Sequence, residues 1–139
     1  MCLLSFCKYR TLTICAVTDI VVPPVNKSVT IGDDAWFNCS TDRDGSVTWN
    51  RYAPGNATIE LYSLGQIHMD YRRRFKVSPA AGGQYDLVIS NVQSADEGFY
   101  ECTERTGLNE SAKAYLSAKV KLQQLTTGNN DFSICLRHM

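Results

Sequence analysis

Two cysteines, Cys39 and Cys102, end short segments of the chain, and Trp49 follows the first of them by ten positions. Cys39 closes segment 35–39, in which apolar and polar residues alternate as they do in a half-buried β-strand. Free or metal-binding cysteines are the alternative, but they fit poorly because the sequence holds no C-x-x-C pair and no cluster of cysteine and histidine. This pattern favours a β fold in which both cysteines have a structural role.

The composition bounds the class of protein. A chain of 139 residues is long enough for one domain with a single two-layer core. Fourteen basic side chains balance fourteen acidic ones, so no overall positive field indicates nucleic acid as a partner. Six cysteines in so short a chain favour an oxidising compartment. We therefore expect the protein to be secreted or to lie on the extracellular face of the cell membrane.

Four N-glycosylation sequons support the same location. Three of them lie in or near predicted turns, and we expect glycans at Asn26, Asn56 and Asn109. The fourth begins at Asn38, directly before Cys39, and we expect it to stay unmodified because of that neighbour.

The two ends of the chain differ from the segment between them. Residues 1–18 resemble an imperfect leader, because Lys8 and Arg10 interrupt their apolar stretch. Residues 123–139 lose the strand-like alternation and are predicted to be a C-terminal tail. The domain is therefore expected to span residues 19–122. No pairing is assigned to the cysteines at these ends, which are Cys2, Cys7, Cys15 and Cys135.

Short segments separated by turn residues recur along the whole domain, without a long 3.6-residue period. This pattern predicts an all-β sandwich. Pro23 and Pro24 interrupt the first strand, which should lie at an edge and change sheets at that point. The predicted strands are 20–22 and 28–31, 34–40, 46–52, 58–63, 74–78, 84–90, 98–105 and 112–122, with a further short strand near 66–69.

Alternation along these strands also predicts which side chains face the interior. The expected core consists of Val29, Ile31, Ala35, Phe37, Cys39, Val47, Trp49, Phe75, Val77, Leu87, Ile89, Val92, Tyr100, Cys102 and Val120.

Four separated motifs then agree in order and spacing. The first, at 49–55, is close to Trp-Tyr-Arg-Gln-Ala-Pro-Gly, and the second is Arg74-Phe75. The third is segment 87–92, and the fourth is the pattern Asp-x-Gly-x-Tyr-x-Cys at 96–102. Over about residues 20–122 the chain resembles the V-set immunoglobulin family, the variable-type domains of antigen receptors and many cell-surface proteins.

The resemblance implies a fold and several structural roles. The fold is an immunoglobulin V-type Greek-key β-sandwich of two antiparallel sheets, with a Cys39–Cys102 disulfide between the sheets and Trp49 packed against it. Tyr100 should form the tyrosine corner of the family, with its hydroxyl bonded to backbone near Ser94 or Asp96. Arg74 should pair with Asp96 and tie one end of the sandwich together.

The resemblance also implies a protein partner. Variable domains of antibodies pair through the sheet that holds the strands predicted here at 46–52, 58–63, 98–105 and 112–122. Tyr52 replaces a glutamine of the family in that sheet, and a tyrosine offers more apolar area with a polar tip. The glycine-rich joining segment of the family is absent, and 115–118 stands in its place. We expect a homodimer through this face, with contacts from Asn50, Tyr52, Ile59, Leu61 and Tyr115.

Loops at one end of the sandwich correspond to the antigen-contacting loops of the family. The residues expected to contact an unidentified antigen or counter-receptor are Asp42, Arg43, Asp44, Arg105, Thr106 and Leu108. The alternative for the last loop is a solvated hairpin that carries a glycan on Asn109. The basic run 71–74 is interpreted as a solvated turn, apart from the paired Arg74.

Catalysis has little support in this sequence. His68 and His138 are the two histidines, and neither has a nucleophile at a spacing that would use it. No cofactor, metal or catalytic residue is predicted. We expect a non-enzymatic, immune-type recognition module, similar to variable-type receptors that do not rearrange. The alternative is a fragment of a cell-adhesion or co-receptor ectodomain that binds a different protein.

Overall fold

A computed structural model of the chain describes residues 19–42, 45–53, 55, 57–80, 82–107, 109–126 and 132–135. The predicted leader, with Cys2, Cys7 and Cys15, lies outside the described residues. In the part that is described, no helix is both long and apolar enough to span a lipid bilayer.

The described residues form thirteen strands and two single turns of 3₁₀ helix, at Met69–Tyr71 and Ser94–Asp96. The strands are β1 (Ile20–Val22), β2 (Lys27–Thr30), β3 (Ala35–Phe37), β4 (Ser40–Thr41), β5 (Val47–Tyr52), β6 (Thr58–Ser63), β7 (Gln66–Ile67), β8 (Phe75–Ala80), β9 (Gln84–Ile89), β10 (Gly98–Glu104), β11 (Ser111–Lys119), β12 (Gln123–Thr126) and β13 (Phe132–Cys135).

Eleven of these strands form two sheets. The five-stranded sheet has the order β1-β4-β9-β3, with β8 also paired to β9, and the six-stranded sheet has the order β2-β11-β10-β5-β6-β7. All pairs are antiparallel except β2 with β11, which is parallel. The diproline separates β1 in the first sheet from β2 in the second, so the predicted change of sheets is confirmed.

The sheets share one buried core, and a disulfide joins them through it. Cys39 and Cys102 are bonded, with their Cα atoms 6.5 Å apart. The Phe37 ring lies 5.2 Å from that of Tyr100 and 6.4 Å from that of Trp49, while the indole N–H of Trp49 donates to the carbonyl of Tyr85 at 2.7 Å. The predicted all-β V-type sandwich with its central bridge is confirmed.

The predicted strand 34–40 is interrupted in the structure. Its two halves, β3 and β4, flank Asn38 and Cys39, where the backbone leaves the regular ladder. The amide of Cys39 donates instead to the carboxylate of Asp86 at 3.0 Å, and its carbonyl accepts from the amide of Tyr85 at 2.7 Å. A side-chain acceptor thus replaces one backbone partner beside the bridge.

The core differs from its prediction at the edges. Val120 lies beyond the end of β11 and is 44% exposed, so its predicted place in the core is wrong. Ile31 is only partly buried. Leu61 and Tyr62 are both buried, because the β5–β6 pairing skips one residue and this irregularity breaks the alternation. The further members of the core that were not predicted are Ala114 and Leu116.

Gly98 shows why its motif requires glycine. Its φ angle is +142°, and a Cβ atom there would lie 2.9 Å from the backbone oxygen of Tyr52 on the neighbouring strand. A side chain would therefore force β10 away from β5. The close approach of these two strands positions the surface described below.

Part of the segment that was predicted to be a tail forms a separate two-stranded antiparallel sheet of β12 and β13. The register pairs Gln123 with Cys135 and Thr126 with Phe132. The sequence between these strands is rich in glycine and asparagine, which is typical of a hairpin connection.

Candidate binding surface

The outward side of the six-stranded sheet, called the front face here, is built by alternation along its central strands. On β10 the buried Tyr100 and Cys102 face the core, so Phe99 and Glu101 face outward. Register then places Phe99 directly between Tyr52 of β5 and Tyr115 of β11. These three side chains form an aromatic row across the front face.

The aromatic row is partly open to solvent. Phe99 is 48% exposed and Tyr115 is 36% exposed, and their rings meet edge to face with centroids 4.9 Å apart. Tyr52 and Tyr115 were predicted to lie on this face, but Phe99 was not. Strict alternation from the buried Tyr100 would have found it, because the neighbours of an inward residue on a strand point outward.

A polar row follows next to the aromatic one. Glu101 lies between Asn50 and Lys113, and its carboxylate is 3.9 Å from the Lys113 ammonium. The Tyr52 hydroxyl donates to Glu101, and the Lys113 ammonium lies 4.2 Å from the centroid of the Tyr52 ring. This hydrogen bond, with burial and the charge of Glu101, raises the pKa of Tyr52. Contacts with Glu101 and Lys113 of the same sheet therefore hold the Tyr52 side chain in place.

Two of the predicted interface residues do not belong to the front face. Leu61 is fully buried in the core, so the prediction that it contacts a partner is wrong. It occupies the position that the irregular β5–β6 pairing skips, and its side chain turns inward. Ile59 is partly buried and packs against the same core. The other predicted contacts, Asn50, Tyr52 and Tyr115, do lie on the face.

The loop after β10 is held by a buried carboxylate. Glu104 is fully buried and accepts hydrogen bonds from the amides of Thr106 and, at 2.8 Å, Gly107. The Thr106 hydroxyl accepts from the amide of Ser46 at 2.7 Å, and the Arg105 amide donates to the Ser46 carbonyl at 2.7 Å. Glu104 was missed because a glutamate in a strand is ordinarily read as exposed.

The structure describes only some of the loop residues that were predicted to contact a ligand. Arg105 and Thr106 are exposed on this ordered loop, and Asp42 is exposed on the adjacent one. The Asp42 carboxylate accepts from the amide of Asp19 at 3.2 Å. Arg43, Asp44 and Leu108 lie outside the described residues. Binding of a ligand by these loops stays a prediction.

An ion pair ties the opposite end of the sandwich together. The Arg74 guanidinium donates to both oxygens of Asp96, at 2.6 and 2.9 Å, and the Tyr100 hydroxyl donates to the Asp96 carbonyl at 2.7 Å. Burial alone would raise the pKa of Asp96, but hydrogen bonds from Arg74 and the Gln93 backbone, with the charges of Arg74 and Arg51, lower it below its usual range. The predicted pair and the predicted tyrosine corner are both present in the structure.

Replacing Arg74 with alanine is expected to lower the free energy of unfolding by about 2 kcal/mol at pH 7, because the buried carboxylate of Asp96 loses a charged partner. The loss is smaller than for a fully buried pair, since the Arg74 side chain is 28% exposed. Urea denaturation measures it. Arg73→Ala is the matched control, because this exposed neighbour should change stability by less than about 0.5 kcal/mol.

The effect should depend on pH in one direction. Asp96 has a lower pKa in the folded chain than the value of about 3.9 expected when unfolded, so the ionised pair stabilises the fold above about pH 4. That stabilisation is lost as pH falls through the folded pKa. The difference in unfolding free energy between wild type and Arg74→Ala should therefore shrink as the pH is lowered from about 4, and a constant difference would contradict this assignment.

The predicted glycosylation sites lie at different places. Asn26 is exposed, and its side-chain oxygen accepts from the amide of Tyr115 at 2.9 Å. Asn109 is exposed in the loop after β10, with a φ angle of +55°. Asn56 lies outside the described residues. Glycans at these sites stay predictions.

Several known proteins are similar in sequence to part of this chain. Contactin-1 of Mus musculus is 31% identical over 107 residues, which are 76% of this chain and 10% of that protein. Matrix remodeling-associated protein 8 of Xenopus laevis is 31% identical over 104 residues, which are 60% of this chain and 24% of that protein. This chain therefore spans a quarter or less of the length of these curated relatives.

Solved structures agree with the sandwich at lower identity. The RIG-5 IG1 homodimer superimposes with a TM-score of 0.66 at 21% identity, over 76% of this chain and all of that one. Dpr1 IG1 bound to DIP-eta IG1 gives 0.64 at 20% identity, over 76% and 99% of the two chains. The model of the immunoglobulin V-set domain matches residues 22–125. The chain belongs to the immunoglobulin V-set family.

Proposed function

We propose that this chain is a non-enzymatic recognition domain that acts outside the cell and pairs with a second copy of itself through the front face. The aromatic row of Tyr52, Phe99 and Tyr115 is the observation that carries this proposal. Exposed aromatic side chains at the centre of a flat sheet are the composition typical of interface cores. The extracellular location is supported by the buried disulfide, since such bonds persist in oxidising compartments.

The charges beside the aromatic row suit a pair of identical copies. Glu101 and Lys113 lie next to each other, so a twofold rotation can bring each carboxylate near the ammonium of the other copy.

Domain–domain pairing has support from the comparisons as well. RIG-5 IG1 is described as a homodimer, and its fold resembles this one. The complex of Dpr1 IG1 with DIP-eta IG1 joins two different chains, and it favours the second candidate function, an adhesion or co-receptor domain that binds a different protein. The immune-type role rests on the resemblance to antigen-receptor variable domains.

Light scattering and sedimentation of the full chain test this proposal. Wild type is expected to self-associate, and Phe99→Arg should weaken the dimer by about 30-fold or more, because it places a charge at the centre of the interface. Phe99 is a cleaner choice than Tyr52, whose replacement also removes a hydrogen bond within the sheet. Trp36→Arg is the matched control, since this exposed aromatic residue lies on the other sheet.

The outcomes separate the candidates. Loss of association in Phe99→Arg but not in Trp36→Arg supports the homodimer through the front face. Equal loss in both would assign the contact elsewhere. A wild-type chain that stays monomeric at high micromolar concentration would overturn the homodimer and leave the binding of a different protein.

A further inference from the structure

An exposed tryptophan lies on the outer side of the five-stranded sheet, away from the front face. Trp36 on β3 is 54% exposed, whereas Trp49 is fully buried. Its neighbours across the sheet are Val88 and, one strand further, Lys76. The exposed face of this indole is an apolar surface on which another group can pack.

Asn38 lies on the same side of the same segment. Exposure alternates there, with Ala35, Phe37 and Cys39 buried while Trp36 and Asn38 are exposed. Asn38 follows Trp36 by only two positions, so even fully extended backbone keeps the two residues within about 7 Å, which is within reach of a side chain and one attached sugar ring. Asn38 also begins the sequon Asn-Cys-Ser.

This sequon differs from the other three in the residue two positions before its asparagine. That residue is Trp36 for Asn38, whereas the sequons at 26, 56 and 109 have Pro24, Pro54 and Gly107 there. The exposed indole and the acceptor asparagine are therefore paired at this site and at no other sequon of the sequence.

We propose that Asn38 carries an N-linked glycan whose first N-acetylglucosamine packs on the indole of Trp36. The proposal reverses the expectation that this sequon stays unmodified, and it rests on the extracellular location proposed above. The side-chain amide nitrogen of Asn38 forms a bond to the anomeric carbon of the sugar and loses one proton. The donor is a lipid-linked pyrophosphoryl oligosaccharide, and its lipid pyrophosphate is the leaving group.

The neighbouring disulfide does not block this reaction, because it forms later. Cys102 lies 63 residues after Cys39, and at about 5–20 residues per second its synthesis follows by roughly 3–13 s. Asn38 thus passes the transferase before Cys39 can pair with Cys102. In the folded domain Asn38 remains exposed, so the attached sugar does not have to be buried.

The surface around Trp36 and Asn38 has the chemistry that binds a sugar. The face of the indole is electron-rich, and it attracts the C–H groups on one face of a pyranose ring. The Asp86 carboxylate accepts from the amide of Cys39 at 3.0 Å and from the side-chain amide of Gln84 at 2.6 Å. These polar groups lie next to Cys39 and Ser40, the two residues that follow Asn38, and they are suited to sugar hydroxyls. The glycan would leave the front face free, since that face is on the other sheet.

Site occupancy is tested on the full chain, expressed in animal cells behind an added export signal. Enzymatic removal of the glycan in heavy-oxygen water converts a modified asparagine to a mass-labelled aspartate. We expect the label at Asn38 and its loss in Ser40→Ala, which removes the sequon and keeps Asn38. Label at Asn109 without label at Asn38, or no label at any sequon, would overturn the glycan. Self-association of Ser40→Ala reports separately on the front face, so the two proposals fail independently.

Packing on the indole has its own readout. Because Trp49 is buried, quenching of fluorescence by acrylamide reports mainly on Trp36. We expect the quenching constant of the glycosylated chain to be about half that of Ser40→Ala, with Asn109→Gln unchanged as the matched control. The glycan should also raise Tm by about 4 °C, and by much less in Trp36→Thr. Equal quenching with and without the Asn38 glycan would contradict the packing.

Discussion

Removing the central bridge with the double substitution Cys39→Ala and Cys102→Ala is expected to lower the free energy of unfolding by about 4 kcal/mol. The bond closes a loop of 63 residues, and chain-entropy estimates for loops of this length give about that value. Urea denaturation of the oxidised wild type and of the double variant measures the difference. Wild type treated with a reductant is the control, and it should lose a similar amount.

The size of this effect bears on the cellular compartment in which the domain can be stable. Single domains are typically stable by only about 5–15 kcal/mol, so a loss of about 4 kcal/mol removes a large share of the total. The sheets would still share their core of Phe37, Trp49 and Tyr100, which the bridge does not create. A loss below about 1 kcal/mol would show that this packing alone holds the sheets together, and the argument for an oxidising compartment would weaken.

The features that the sequence predicted well are those in which one residue type meets a strict geometric demand. Cys39 and Cys102 must face each other, Gly98 must approach the backbone of Tyr52, and Tyr100 must reach the carbonyl of Asp96. Each demand leaves a recognisable residue at a fixed spacing. Their agreement over about a hundred residues was sufficient for the fold class and the main core.

Several of the errors occur where alternation breaks down. The β5–β6 irregularity buries Leu61 and Tyr62 together, and a period of two cannot predict two consecutive inward residues. The split between β3 and β4 depends on the Asp86 carboxylate, which is 47 positions away along the chain. Glu104 is buried because its carboxylate accepts hydrogen bonds from loop amides, and no local sequence pattern predicts that contact.

The binding surface was predicted less completely than the fold for a physical reason. The position of a front-face residue on its own strand fixes only the direction in which its side chain points. Its solvent exposure depends on the side chains of the neighbouring strands. Phe99 is half-exposed although Tyr52, next to it in register, is covered by Lys113 and Glu101. The difference in exposure between Phe99 and Tyr52 follows only from the register of the assembled sheet.

Leu61→Ala provides the sharpest test of the corrected surface. Because Leu61 is fully buried, we expect the substitution to lower the free energy of unfolding by about 3 kcal/mol through lost contacts and a cavity. Association of the folded chain through the front face should be unchanged, since the side chain points away from a partner. Urea denaturation at a concentration low enough to keep the chain monomeric measures the first effect, and sedimentation measures the second.

Leu64→Ala is the matched control, because Leu64 follows the same strand but is 90% exposed. It should change stability by less than about 0.5 kcal/mol. If Leu61→Ala instead weakened association while stability stayed within that margin, Leu61 would belong to the interface after all. The register of β6, which places Ile59 and Leu61 on its inward side, would then be the part of the fold to revise.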